Sequence, residues 1–198
     1  MEHSALLMAV ACTLAASSAF AQDTSDKGAE AKYFTPVAPG VVKDKRTGLQ
    51  WMRCSLWQDW SEKAQTCKGS VNIYTWQDAL ELVKKFNALG GYAGSTNWRL
   101  PTVRELQSLR YCSTRFESKT IDLQDGGRAV RSSCAGDPTK PTLPQTVFPG
   151  TPHNGSEVTF WSSSTYDGAV PFAWHVSFYN GYVDFYARDN EHSVRLVR

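Results

Sequence analysis

Beyond its first residues the sequence has no apolar run long enough to cross a bilayer as a helix, which needs about 20 residues. It lacks a charge excess: 21 Lys and Arg stand against 19 Asp and Glu. A general nucleic-acid binder should carry a strong basic surplus, so that class is set aside. It lacks short metal knuckles. None of its five cysteines forms a C-x-x-C, and the His residues show no paired spacing, so neither pattern argues for a metal centre. It lacks a G-x-S-x-G elbow, so Ser162-Ser163-Ser164 with His175 does not make a hydrolase case. Internal repeats are absent. The first residues, Met1-Glu2-His3-Ser4, also lack the Lys or Arg that normally opens a secretory signal.

The rest of that segment does read as a signal. Ala5 to Ala16 is an apolar stretch of signal length, and Ala19-Phe20-Ala21 is an A-x-A cleavage site. The expected organisation is a signal peptide over 1–21, a polar linker over 22–40 and a single domain over 41–198. Cleavage after Ala21 implies a periplasmic or extracellular location. A rival reading makes Cys12 a lipidated cysteine behind Ala9-Val10-Ala11, but Ala rather than Leu stands three residues before it. Removal of the signal leaves Cys54, Cys67, Cys112 and Cys134. An even number in an exported chain implies two disulfides, with three possible connectivities. Cys54–Cys67 and Cys112–Cys134 are favoured because each pair brackets a loop-like segment.

The expected fold class is α+β, with two helices and a small, mainly antiparallel sheet. Val41 to Arg53 reads as a hairpin around Asp44–Gly48. Thr75 caps a helix whose apolar face is Trp76, Leu80, Val83 and Phe86 or Leu89, stopped by Gly90-Gly91. Thr102-Val103-Arg104-Glu105 is a capping box opening a second helix, with Leu106 and Leu109 on its core face. Trp98 is expected in the core and Arg99 on a carboxylate. From Ser113 to Glu157 periodicity vanishes, and a stretch that long without elements is unusual in a compact domain. Within it, Asp122-Leu123-Gln124-Asp125-Gly126-Gly127 offers oxygens suited to Ca²⁺, though a solvated loop is the simpler reading; no cofactor is expected. The chain ends in strands: Val158–Trp161, a hairpin around Asn180-Gly181, and Val194–Arg198.

Several of these stretches occur together in one family. They are Asp44–Trp51, Tyr74–Leu80, Gly94–Thr102 with Glu105-Leu106, Trp161–Ser163 and Val194–Arg198. In this order the chain resembles the Legionella collagen-like protein C-terminal domain family. That resemblance implies a likeness to the C-type-lectin and formylglycine-generating-enzyme superfold, with paired terminal strands and a long ligand-prone loop region. It implies an adhesion role, since the family's named member binds sulfated polysaccharides through a trimeric domain. The present chain has no collagen-like repeat, so trimer formation does not carry over. The oxidase chemistry of the superfold needs reactive cysteines late in the chain; none follows Cys134, so no enzymatic activity is expected.

The candidate ligand surface lies on the hairpin. A two-residue turn pairs Tyr179 with Tyr182, Ser177 with Asp184 and His175 with Tyr186. Trp174, Val176, Phe178, Val183 and Phe185 then face the core. His175, Tyr179, Tyr182, Asp184, Tyr186 and Arg188 are left outward, where tyrosines stack on sugar rings and polar groups bond hydroxyls. An ordinary cross-strand surface is the competing reading. His175 beside Asp184 is expected to gain charge on mild acidification. The expected partner is a polysaccharide or, alternatively, an envelope protein that uses the chain as an assembly subunit.

Overall fold

The computed structural model of the chain describes residues 28–122, 128–166 and 171–198. The expected signal segment, Cys12 and the Leu123–Gly127 part of the acidic loop lie outside the described residues. Ordered structure begins upstream of Val41. Strand β1 (Phe34–Ala38) pairs antiparallel with β2 (Val41–Asp44), Phe34 facing Asp44 in register. Much of the stretch whose polar composition suggests a linker therefore belongs to the fold, held by the buried rings of Phe34 and Phe148, 5.4 Å apart.

The α+β expectation is overturned: the domain is mostly β. Ten strands form three antiparallel sheets among the described residues. β3 (Gln50–Met52) completes a sheet of order β1-β2-β3. β4 (Asp59–Ser61) and β5 (Thr66–Lys68) form a small ribbon. Five strands make the main sheet: β6 (Phe116–Asp122), β7 (Arg128–Cys134), β8 (Thr159–Thr165), β9 (Phe172–Ser177) and β10 (Tyr182–Ala187), in the order β6-β7-β10-β9-β8.

Only one full helix stands among the described residues. α1 (Trp76–Ala88) is capped by Thr75, whose hydroxyl accepts from the Asp78 amide at 3.2 Å, and it buries Trp76, Ala79, Val83 and Phe86. Gly91 ends the turn region at φ 61°, where a Cβ would stand 2.0 Å from the Ser95 carbonyl oxygen. The expected second helix shrinks to α2 (Val103–Gln107), five residues. Its capping box forms, but the Ser108 hydroxyl and amide both bond the Glu105 carbonyl, at 2.6 and 3.1 Å, and close the turn. A cap fixes where a helix starts; without an apolar stripe beyond Leu109 nothing extends it.

The Ser113–Glu157 stretch is not structureless. It contains the β6–β7 hairpin, with Lys119 opposite Arg131 and Glu117 opposite Ser133. Both faces of this ribbon carry polar residues, so it shows no alternation for the eye to catch. The loop after it is also anchored: Leu143, Val147 and Phe148 are buried, and Arg53 donates from Nε to the Val147 carbonyl at 2.8 Å.

The disulfides are Cys54–Cys67 and Cys112–Cys134. The second pins the end of β7 to the segment after α2. The chain end crosses both cores. Met52 and Leu56 amides donate to the Leu196 and Val194 carbonyls, Arg99 and Val197 exchange both backbone bonds, and the Trp161 amide donates to Ser193. Val194 and Leu196 pack beside α1, Met52 and Trp98, while Val197 packs with Val42, Phe160 and Leu106. The terminal residues thus pair with β3 and the Arg99 segment, not with β1.

Trp98 is buried as expected. Its indole N–H donates to the Tyr92 carbonyl at 3.0 Å, and the Asn87 side chain brackets its backbone. Trp98→Ala should cost about 3–5 kcal/mol in urea denaturation; unchanged stability would remove Trp98 from the core's support. Arg99 grips Glu105 through two bonds of 2.7 and 2.8 Å, and this pairing is the main reason its carboxyl falls from 4.5 to about 2. A depressed acid stabilises the fold above its unfolded pKa and loses that contribution as pH falls through the folded one. The stability difference between the wild type and Glu105→Gln should therefore shrink between pH 4.5 and about 2. Arg99 is half-exposed, so solvent screening keeps the effect modest. A difference that stays constant across that range contradicts the assignment.

Candidate functional site

The β9–β10 hairpin keeps its expected faces but not its expected register. Ser177 pairs with Tyr182, His175 with Asp184 and Ala173 with Tyr186, a slip of two residues. Phe178 causes it by leaving the ladder for the core. Its amide donates to the Val158 carbonyl, and its own carbonyl accepts from Thr142. The loop from Phe178 to Gly181 closes against β7, where the Cys134 amide donates to the Asn180 carbonyl. Gly181 is required there: φ is 72°, and a Cβ would lie 2.7 Å from Cys134 Sγ. Because a two-residue slip preserves alternation, Val176, Phe178 and Val183 remain buried. Trp174 and Phe185 are only partly buried. They join Tyr166 and Phe172 in an aromatic cluster, with Phe185 stacked on Tyr166 at 4.0 Å.

The six candidate residues do not form one surface. Tyr179 is exposed at the turn, under the Lys140 ammonium, 4.4 Å from its ring centre. Arg188 lies beyond the other end of the hairpin, over the Trp76 ring at 4.4 Å, with Nε donating to the Phe172 carbonyl. Asp184 is engaged by Arg131, Nε to Oδ1 2.5 Å, and the Arg131 guanidinium also lies 5.1 Å from the Phe185 ring. Burial raises the Asp184 carboxyl despite that cation and a bond from the Phe185 amide.

His175 is not outward. Only 8% of it is exposed. Burial, then His192 and Arg131, push its pKa from 6.5 down to about 3. The expected pH handle is thereby overturned: this imidazole stays neutral through mild acidification, because a buried charge beside another cation is penalised. It sits with Trp161, Tyr186 and His192 on one patch. The His192 ring lies 4.4 Å from Trp161 and 5.1 Å from His175. Tyr186 closes the patch toward solvent and is half-exposed.

Sequence reasoning missed the neighbours that shape the accessible site. Across the sheet from Asp184 an open groove of about 570 Å³ is lined by Glu117, Lys119, Arg131, Tyr182 and the serines at 118, 132 and 133. Tyr182 is the one candidate residue lining it. The Ser133 hydroxyl donates to Glu117 at 3.1 Å. With polar residues at both parities on 116–122 and 128–134, no alternation marked these strands.

The family model of the Lcl C-terminal domain matches residues 40–198. The chain belongs to this family. No curated protein matches it significantly. Membership in the Lcl C-terminal domain family is consistent with an exported, adhesion-type module, and the two disulfides suit an extracytoplasmic protein. No helix among the described residues is long and apolar enough to cross a membrane. Among the described residues no group of three or more His, Cys, Asp or Glu side chains is placed to hold a metal ion. In this Lcl domain the accessible chemistry is that of the sheet groove: two cations, one carboxylate, one phenol and three hydroxyls on strands β6, β7 and β10.

Proposed function

We propose that the domain is a non-enzymatic binding module of the cell exterior or periplasm, and that its ligand is an anionic polysaccharide held in the groove over β6, β7 and β10. The observation that carries the reading is the company of Tyr182 with Lys119 and Arg131 beside three serine hydroxyls, where two cations outnumber the one carboxylate, Glu117. Phenol rings stack on sugar faces, hydroxyls exchange bonds with sugar hydroxyls, and a guanidinium meets sulfate or carboxylate with paired donors. Asp184 fixes Arg131 in place, so the cation is presented at little entropic cost. Family membership supports the adhesion role and leaves the ligand open.

A second reading rests on β6, which ends the five-stranded sheet and has no strand beyond it among the described residues. A free edge suits addition of a partner strand, as an envelope assembly subunit would use it.

Titration calorimetry with heparin, and with neutral dextran as control, separates the two. Heparin should bind and weaken as salt rises, since exposed charges are screened. Lys119→Ala combined with Tyr182→Ala should weaken it by about 2 kcal/mol or more while thermal stability changes little. Heparin binding that ignores both substitutions, or no heparin binding, contradicts the groove assignment.

A further inference from the structure

Strand β9 and the chain-end segment bring together two imidazoles with orphaned ring nitrogens. His175 Nδ1 and both ring nitrogens of His192 are buried without a hydrogen-bond partner. Each residue is more than nine-tenths buried. The Glu191 main chain acts on the His192 charge but makes no hydrogen bond with it. An orphaned buried donor or acceptor costs about 1–3 kcal/mol, so three of them in one patch need a reason. Apolar rings of the same size would fill the space without that penalty.

Both residues are also rigidly placed. His175 lies mid-strand in β9, paired on both sides with Trp161 and Asp184. His192 exchanges two backbone bonds with Tyr74, each 2.9 Å. Tyr186 stands over the pair, its ring 6.1 Å from His175 and 6.0 Å from His192, and the two imidazole centres are 5.1 Å apart. An ion about 2.0–2.1 Å from an imidazole nitrogen lies about 3.2 Å from that ring's centre, so two imidazoles on a tetrahedral ion have centres about 5.2 Å apart. A phenolate on the same ion would put its ring centre about 6 Å from each. The observed separations match that triangle.

We infer that His175, His192 and Tyr186 form a binding site for a late first-row divalent ion such as Zn²⁺, with the fourth position open to water on the half-exposed Tyr186 side. Imidazole nitrogens suit this class of ion and not Ca²⁺ or Mg²⁺. Asp184, in register with His175, is occupied by Arg131 and takes no part. None of these three residues lines the sheet groove, so the two readings are tested by different substitutions.

The test is calorimetric titration of untagged, chelator-treated mature protein with Zn²⁺. One saturable site per chain is expected, weakened at least tenfold in His175→Gln, in His192→Gln and in Tyr186→Phe. The last keeps the ring and its packing and so reports on ligation even if a histidine variant fails to fold. Zn²⁺ should raise the melting temperature of the wild type and not of these variants. Absence of a saturable site, undiminished binding in Tyr186→Phe, or loss of binding with the exposed His153→Gln would overturn the inference.

Discussion

The structure depends on one buried cation. The Arg195 guanidinium is fully enclosed and donates to the carbonyls of Met52 and Arg53 and to the Thr151 hydroxyl, between the rings of Phe148 and Phe160 at 4.8 and 5.2 Å. Among the described residues no carboxylate bonds this guanidinium; two main-chain oxygens and one hydroxyl accept from it, and burial lowers the group's pKa only to about 9, so it is charged at neutral pH. Hydrogen bonds from a charged donor contribute about 1.5–3 kcal/mol each, against the large cost of taking the charge out of water. The arrangement therefore tolerates little displacement. It holds β3, the Thr151 loop and the chain end in a single geometry.

That geometry aligns everything built on the last seven residues. Alternation along the chain end sends Val194 and Leu196 to the α1 side and Arg195 and Val197 to the other, so one extended segment serves two cores. Its backbone bonds reach β3, the Arg99 segment and β8. Since β8 is the neighbour of β9, and β9 of β10, the position of the hairpin follows from the same contacts. His192 enters the histidine patch from this segment, and Arg198 covers the Trp98 ring at 5.0 Å. The groove on β6 and β7 is further away and hangs on the Cys112–Cys134 bond and on the β7–β10 pairing.

Much of this was readable from residues. The Thr75 and Thr102 caps, the burial of Trp98, the Arg99–Glu105 pair and both disulfide pairings follow from local chemistry that tertiary context did not override. The parity of the hairpin faces was readable too, because alternation survives a slip of two. What failed was long-range. A capping box says nothing about helix length, so α2 looked like a full helix. A two-sided polar ribbon has no hydrophobic period, so β6 and β7 looked like loop. His175 looked exposed because the residues sharing its expected hairpin face, Ser177, Asp184 and Tyr186, are polar; the lid over it, His192 and Trp161, comes from elements 17 residues after it and 14 before. Inward and outward on a sheet are decided by what packs on it, and a strand's own sequence does not contain that.

Native-state hydrogen exchange tests the central role of the Arg195-anchored chain end most directly. The amides of Met52, Leu56, Arg99, Trp161 and Val197 all bond to or within this segment yet belong to different elements. If the segment joins the two cores into one cooperative unit, these amides exchange only through global opening and share one free energy and one denaturant slope. Separate isotherms, with the β3 amides opening at markedly lower free energy than those of β8, would show two independent units and contradict the account.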